Sequence, residues 1–142
     1  MRRTSERDQP LTDGISATLG IEGYEVISEE EATARLPVSD RVRQPFGIVH
    51  GGAYAVLAET LTSRATWEVV GPRRGAFGQS NNTSFFRPVS EGIVHARARA
   101  IHRGRTSWVW DVEMRDEEGR LCAASRMTIA VREIEPDQDD RY

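Results

Sequence analysis

The chain of 142 residues contains no lysine; all 19 of its basic residues are arginine. Genomic base composition accounts for that bias as it stands, while the arginine fork suits phosphate recognition at a few of these positions. Acidic residues number 22, giving a formal net charge of −3, so a nucleic-acid-binding surface is not expected. One cysteine, Cys122, excludes an intrachain disulfide and fits a reducing compartment, with cytoplasm as the expected location. With three scattered histidines it offers no metal-ligand spacing, so no metal site is expected. No apolar run reaches membrane-spanning length, and Met1 to Pro10 lack the apolar stretch of a signal peptide. A membrane partner is therefore not expected either.

What is present fits one domain. A hydrophobic content of 38% with 29% charged residues reads as a soluble globular chain long enough for a single core. Residues 1–10 are polar and expected to be mobile, 11–132 form the domain, and 133–142 form an acidic tail expected to be disordered. A short helix is expected over Leu11 to Leu19, ending at Gly20. Alternation through Ala32, Ala34 and Leu36 marks the end of a first strand that stops at Pro37. Ala53, Val56, Leu57, Ala58 and Leu61 carry helical periodicity, so a central helix is predicted from Gly51 to Val69, with Gly71-Pro72 as its stop. The period then changes to two through Val94 to Ala100, Trp108 to Met114 and Leu121 to Val131, with a turn over Asp116 to Gly119. One long helix followed by antiparallel strands reads as α+β, the helix on one sheet face. The alanines of the strand facing it permit close approach.

The stretch Gln44-Pro-Phe-Gly-Ile-Val-His50-Gly51-Gly52 leads into that helix, and Glu59 and Ser63 follow on one helical face, expected to be buried. Unsatisfied N–H groups at the helix start can hold a developing oxyanion. Glu59 lies eight residues beyond Gly51, roughly 12 Å along the axis at ~1.5 Å per residue. One chain does not easily close such a site. Two copies with antiparallel helices about a two-fold would bring Glu59 of one near Gly51 of the other, so a dimer with two shared sites is predicted. On the residues alone, alternatives stay open. Glu59 also reads as a solvated helix acid or a partner of Arg64, His50 as a helix cap, Gln44 as an exposed loop residue and Ser63 as a hydroxyl bonded to its own backbone.

The order Gln44, His50-Gly51-Gly52, Glu59, Ser63 resembles the hotdog-fold acyl-CoA thioesterases of the Glu-dependent branch. The branch includes the phenylacetate-pathway and 4-hydroxybenzoyl-CoA types, the 1,4-dihydroxy-2-naphthoyl-CoA type and the proofreading thioesterase of enterobactin synthesis. The likeness continues through Asn81-Asn82-Thr83-Ser84-Phe85-Phe86-Arg87-Pro88-Val89-Ser90-Glu91-Gly92, His102-Arg103-Gly104-Arg105 and Asp116 to Cys122. It implies a curved antiparallel sheet wrapped around the central helix, in dimers that pair into tetramers. It implies hydrolysis of an aromatic acyl-CoA to free acid and CoA, with CoA as part of substrate and product and no other cofactor. The implied catalytic set is Glu59, as nucleophile or general base, with Gln44, His50, the Gly51 N–H and Ser63. The implied binding residues are Gly52, Asn81, Asn82 and Thr83 along the pantetheine, and Arg87, Arg103, Arg105, Thr106 and Ser107 toward the CoA phosphates. Phe46, Val49, Tyr54 and Phe86 are candidates for the acyl pocket and equally good core residues. Rival readings are an acyl-carrier-protein thioesterase, a hotdog hydratase, and a non-catalytic acyl-CoA binder or sensor.

Overall fold

The computed structural model describes residues 14–135. The expected mobile segment 1–10, residues 11–13 of the expected first helix and residues 136–142 of the acidic tail lie outside them. Elements run in the order α1 (Gly14–Leu19), β1 (Glu22–Ser28), β2 (Glu31–Pro37), α2 (Gly51–Val70), β3 (Arg74–Phe85), β4 (Ile93–Arg103), β5 (Ser107–Arg115) and β6 (Leu121–Glu133). The strands form one antiparallel sheet in the order β1-β2-β4-β5-β6-β3. This sheet curves around α2, which touches β2, β3, β4, β5 and β6. It is the hotdog arrangement that the resemblance implied.

The helix sits close because its partners are small or alternate cleanly. Ala32, Ala34, Ala96 and Ala98 are buried on β2 and β4, two of the strands that face it. On α2 the buried stripe is Ala53, Tyr54, Leu57, Ala58, Leu61, Thr62, Ala65 and Thr66, the i, i+3/i+4 pattern of a core-facing helix. Leu57, Leu61, Trp110, Met114, Met127 and Ile129 close the core. Trp110 is fully buried, and its indole N–H donates to Thr66 Oγ1 at 2.9 Å. Polar groups in so dry a place require such a partner.

Two points need correction. The alternation through Leu36 belongs to a complete second strand, since Glu29 and Glu30 turn the chain after β1. The edge position of β1 leaves its pattern mostly exposed, which hides the alternation. Strand β3 was not expected at all. It pairs on one side only, with β6, so its polar run Gln79 to Ser84 needs no buried face to form a strand. The last strand runs to Glu133.

Candidate active site

A tight loop leads into α2. The Gln44 N–H donates to Ile48 O at 2.8 Å, the Gly47 N–H to Gln44 O at 2.9 Å and the His50 N–H to Val42 O at 2.7 Å. Gly47 takes φ +80°, a left-handed conformation that glycine adopts without strain. Gln44 Oε1 accepts from the Phe46 N–H at 2.7 Å. That contact occupies the oxygen and turns the side-chain NH₂ into the group with donors to offer.

His50 is the N-cap of α2, its Nδ1 accepting from the Gly52 N–H at 2.8 Å while its carbonyl accepts from Ala53 N–H at 2.9 Å. An accepting Nδ1 assigns the neutral ring's proton to Nε2, which becomes a donor. The Gly51 N–H makes no hydrogen bond among the described residues, so it stays a free donor at the positive end of the helix dipole. A Cβ on Gly51 would stand 2.7 Å from Phe85 Cζ, so the ring lies directly against that glycine.

Two turns along α2, Glu59 and Ser63 line an open cleft of about 380 Å³ with Thr60, Ala76, Phe77 and Gly78. Shared facing of Glu59 and Ser63 agrees with their spacing. The expectation that this face is buried does not hold: Glu59 is exposed in the single chain. It follows Ala58 but stands outside the buried stripe, and a glycine of the cleft lies against it. A Cβ on Gly78 would lie 2.8 Å from Glu59 Cδ. Arg64, the other candidate partner, stacks on Tyr24 with its Cζ 4.1 Å from the ring centre.

The expected binding residues divide. Gly52 is exposed at the helix start. Asn81 and Thr83 hydrogen-bond within the chain: Asn81 Nδ2 donates to Ala55 O at 2.9 Å, and Thr83 Oγ1 donates to Asn81 Oδ1 at 2.7 Å. Asn82 is exposed on the opposite side of β3. Val49 and Tyr54 belong to the core, whereas Phe46 is 91% and Phe86 59% exposed in the single chain. The aromatic that meets the helix start is Phe85, adjacent in sequence to the expected Phe86. Burial pushes the Tyr54 phenol up to about 12, with Cys122 and Asp116 adding to the effect.

Toward the far end, Arg103 is already paired, with Glu29 at 3.3 Å and Glu30 at 3.1 Å, and lies 5.6 Å above the Trp108 ring. Its guanidinium is thus engaged by surface acids within the single chain. Arg87 and Arg105 are exposed, as is Thr106, whose carbonyl accepts from Val131 N–H and from Arg132. Ser107 is half-buried and opens β5. Cys122 is buried with its thiol donating to Arg120 O at 3.2 Å, as a small packed strand residue. Among the described residues no group of three or more His, Cys, Asp or Glu is placed to hold a metal ion, and no helix is long and apolar enough to cross a membrane.

Reading the sequence missed Gly78, Phe77 and Phe85. The available signal was the glycine inside a polar segment, which marks a bulge or a close approach.

The Thioesterase superfamily matches residues 46–123, more than half of the chain and the whole of α2 through β5. The proofreading thioesterase EntH of Klebsiella pneumoniae is 44% identical over 98 residues, covering 69% of this chain and 72% of that protein. The 1,4-dihydroxy-2-naphthoyl-CoA hydrolase of Escherichia coli is 38% identical over 108 residues, covering 76% of this chain and 79% of that one. The crystal structure of thioesterase HI1161 from Haemophilus influenzae superposes with a TM-score of 0.79 at 39% identity, over 84% of each chain. With a free amide donor and an acid-lined cleft on one helix inside the matched region, the chain belongs to the thioesterase superfamily and is a thioester hydrolase.

Proposed function

We propose that this thioesterase hydrolyses an aromatic acyl-CoA to the free acid and CoA in the cytoplasm, without metal or other cofactor. The observation that carries the reading is the division of labour along α2: an unengaged Gly51 N–H at its start and the Glu59 carboxylate in a cleft two turns on. The carbonyl oxygen of the thioester gains negative charge as the carbonyl is attacked, and the Gly51 N–H is the donor for it. Gln44 through its NH₂ and His50 through Nε2–H are the auxiliary donors. Glu59 acts at the carbonyl carbon, either bonding to it and expelling the CoA thiolate, or taking a proton from the water that does so. In the first route a mixed anhydride forms and water cleaves it; in the second the acid is released directly. Ser63, in the same cleft, orients the carboxylate or the water.

The helix geometry supports an active dimer, in which Glu59 and Ser63 come from one protomer and Gln44, His50 and Gly51 from its partner. The aromatic preference is supported by the E. coli relative, whose name gives a naphthoyl-CoA as its substrate. Exposed Phe85 and Phe77, near the two ends of that helix stretch, supply ring-sized apolar surface.

The test is free-thiol release from benzoyl-, hydroxybenzoyl-, phenylacetyl-, naphthoyl- and straight-chain acyl-CoAs by wild type and Glu59→Gln. Aryl-CoAs are expected to turn over fastest, and Glu59→Gln to lower kcat by about 10²–10⁴-fold with the fold intact. Undiminished turnover in Glu59→Gln would overturn the assignment of the acid. Hydrolysis confined to acyl-carrier-protein thioesters would overturn the CoA assignment.

A further inference from the structure

Strand β3 changes its facing at one point, and that point lies beneath Glu59. Gly78 pairs with Ile129, but Ser80 pairs with Thr128, so Gln79 is an additional residue that β6 does not match. Side chains alternate along a strand, so one inserted residue reverses which positions face the helix. Before the bulge the inward positions are Ala76 and Gly78, opposite buried Val131 and Ile129. After it they are Asn81, Thr83 and Phe85, opposite buried Met127, Ser125 and Ala123. Had the alternation run on unbroken through Gln79, then Ser80, Asn82 and Ser84 would face α2 instead.

We infer that this bulge is a positioning device for Glu59, in which Gly78 leaves the space its side chain occupies and Asn81 ties down the helical turn that carries it. The inference rests on the proposed role of Glu59. A methyl group at position 78 would lie 2.8 Å from Glu59 Cδ and 2.9 Å from Oε1, nearer than real contacts of that kind occur. The carboxylate therefore keeps its place only over a glycine. Asn81 Nδ2 donates to Ala55 O at 2.9 Å, and in an α-helix that same carbonyl is the acceptor for the Glu59 N–H. The amide is held in turn by Thr83 Oγ1, 2.7 Å from Asn81 Oδ1 and 2.7 Å from Ser125 Oγ. The chain Ser125, Thr83, Asn81, Ala55 thus connects β6 and β3 to the turn bearing Glu59. A bulge placed next to a functional side chain serves this kind of aiming, and displacement of a reacting group by about 1 Å costs as much as 10²-fold in rate.

The test uses the full chain and benzoyl-CoA. Gly78→Ala is expected to lower kcat about 10- to 100-fold with KM little changed. Glu59→Asp, one methylene shorter, withdraws the carboxylate from the added methyl. In that background Gly78→Ala is expected to cost far less, and an equal loss in both backgrounds would overturn the positioning role. Asn81→Ala is expected to lower kcat with KM unchanged and to speed hydrogen exchange at the Glu59 amide. If Gly78→Ala does not fold, Asn81→Ala decides by those two readouts, and wild-type values in both would sink the inference. Failure of the parent reading looks different: Glu59→Gln itself would then retain turnover. An inactive Glu59→Gln beside fully active Gly78→Ala and Asn81→Ala would overturn the positioning role alone.

Discussion

At the scale of single residues, His50 carries two roles that one substitution cannot separate. Its Nδ1 caps α2, and its remaining N–H is proposed to face the substrate. His50→Ala removes both, so about 0.5–2 kcal/mol of stability should go with the cap. His50→Ser supplies a hydroxyl of the right reach for the cap and no group for the second role. Chemical denaturation of His50→Ser is therefore expected to resemble wild type while its kcat falls, and full turnover in His50→Ser would reduce His50 to a cap. Gly51 presents a related contrast. The clash introduced by Gly51→Ala falls on the side chain of Phe85, a residue 57% exposed. Stability should change little, yet the displaced ring and the crowded donor should slow turnover by about tenfold or more. A Gly51→Ala protein with wild-type kcat would mean that crowding by the Phe85 ring does not reach the backbone N–H, which alanine keeps.

At the scale of elements, the buried contact between β5 and α2 is a polar one. Thr66→Val keeps the shape at position 66 and strands the Trp110 indole N–H in a fully buried site. The expected loss is about 1–3 kcal/mol in urea denaturation, and an unchanged midpoint would mean that the indole finds another acceptor. The β5–β6 turn depends on Asp116. Burial pushes its carboxyl up, but the Arg120 and Glu118 N–H groups and the Arg120 guanidinium outweigh this and hold it below the usual carboxylate range. A depressed native pKa means stability that is present above the unfolded value and lost as pH falls through the native one. Asp116→Asn should lower stability near neutral pH and flatten the decline on acidification, which melting curves at a series of pH values would show; an unchanged acid limb would exclude this turn as a contributor.

These elements also show how far sequence reading reaches. The helix from Ala53 to Leu61 and the strands through Val94, Trp110 and Ile129 were legible because each buries one face, which imposes a period of 3.6 or 2 on the residues. Strand β3 was not, since an edge strand with six consecutive polar residues has no such constraint and Gln79 breaks its parity. Within the site, the pairing of Glu59 with Ser63 and the start at Gly51 followed from spacing. Exposure of Glu59 did not, because apolar neighbours at Val56, Leu57 and Ala58 say nothing about a residue 100° further around the helix. Gly78, Asn81 and Phe85 depend on tertiary register, which local pattern does not encode.

At the scale of the whole molecule, three of the four exposed phenylalanines lie along or just after β3. This strand has twelve residues, one unpaired edge, and no lysine or proline to discourage pairing. Long uncovered edges of this kind attract another strand. Phe77, Phe85 and Phe86 are exposed along or just after it, and Phe46 projects from the loop before α2. A second copy pairing there would cover both the edge and the rings, and would bring Glu59 toward the partner's helix start. If the site is shared, two defective chains can repair one another. A protomer carrying Glu59→Gln still offers Gly51 and His50, and one carrying His50→Ala still offers Glu59. Their heterodimer has one site with both lesions and one with neither. Random association of equal amounts makes about half the dimers mixed, each with one of two sites intact, so about a quarter of wild-type activity should return. Co-expression with two affinity tags, followed by tandem purification, isolates the mixed species, which should then show about half of wild-type activity. Activity no higher than the sum of the separate variants, in a preparation proven to contain both chains, would mean that each site is built from one chain and that Glu59 reaches its substrate without a partner.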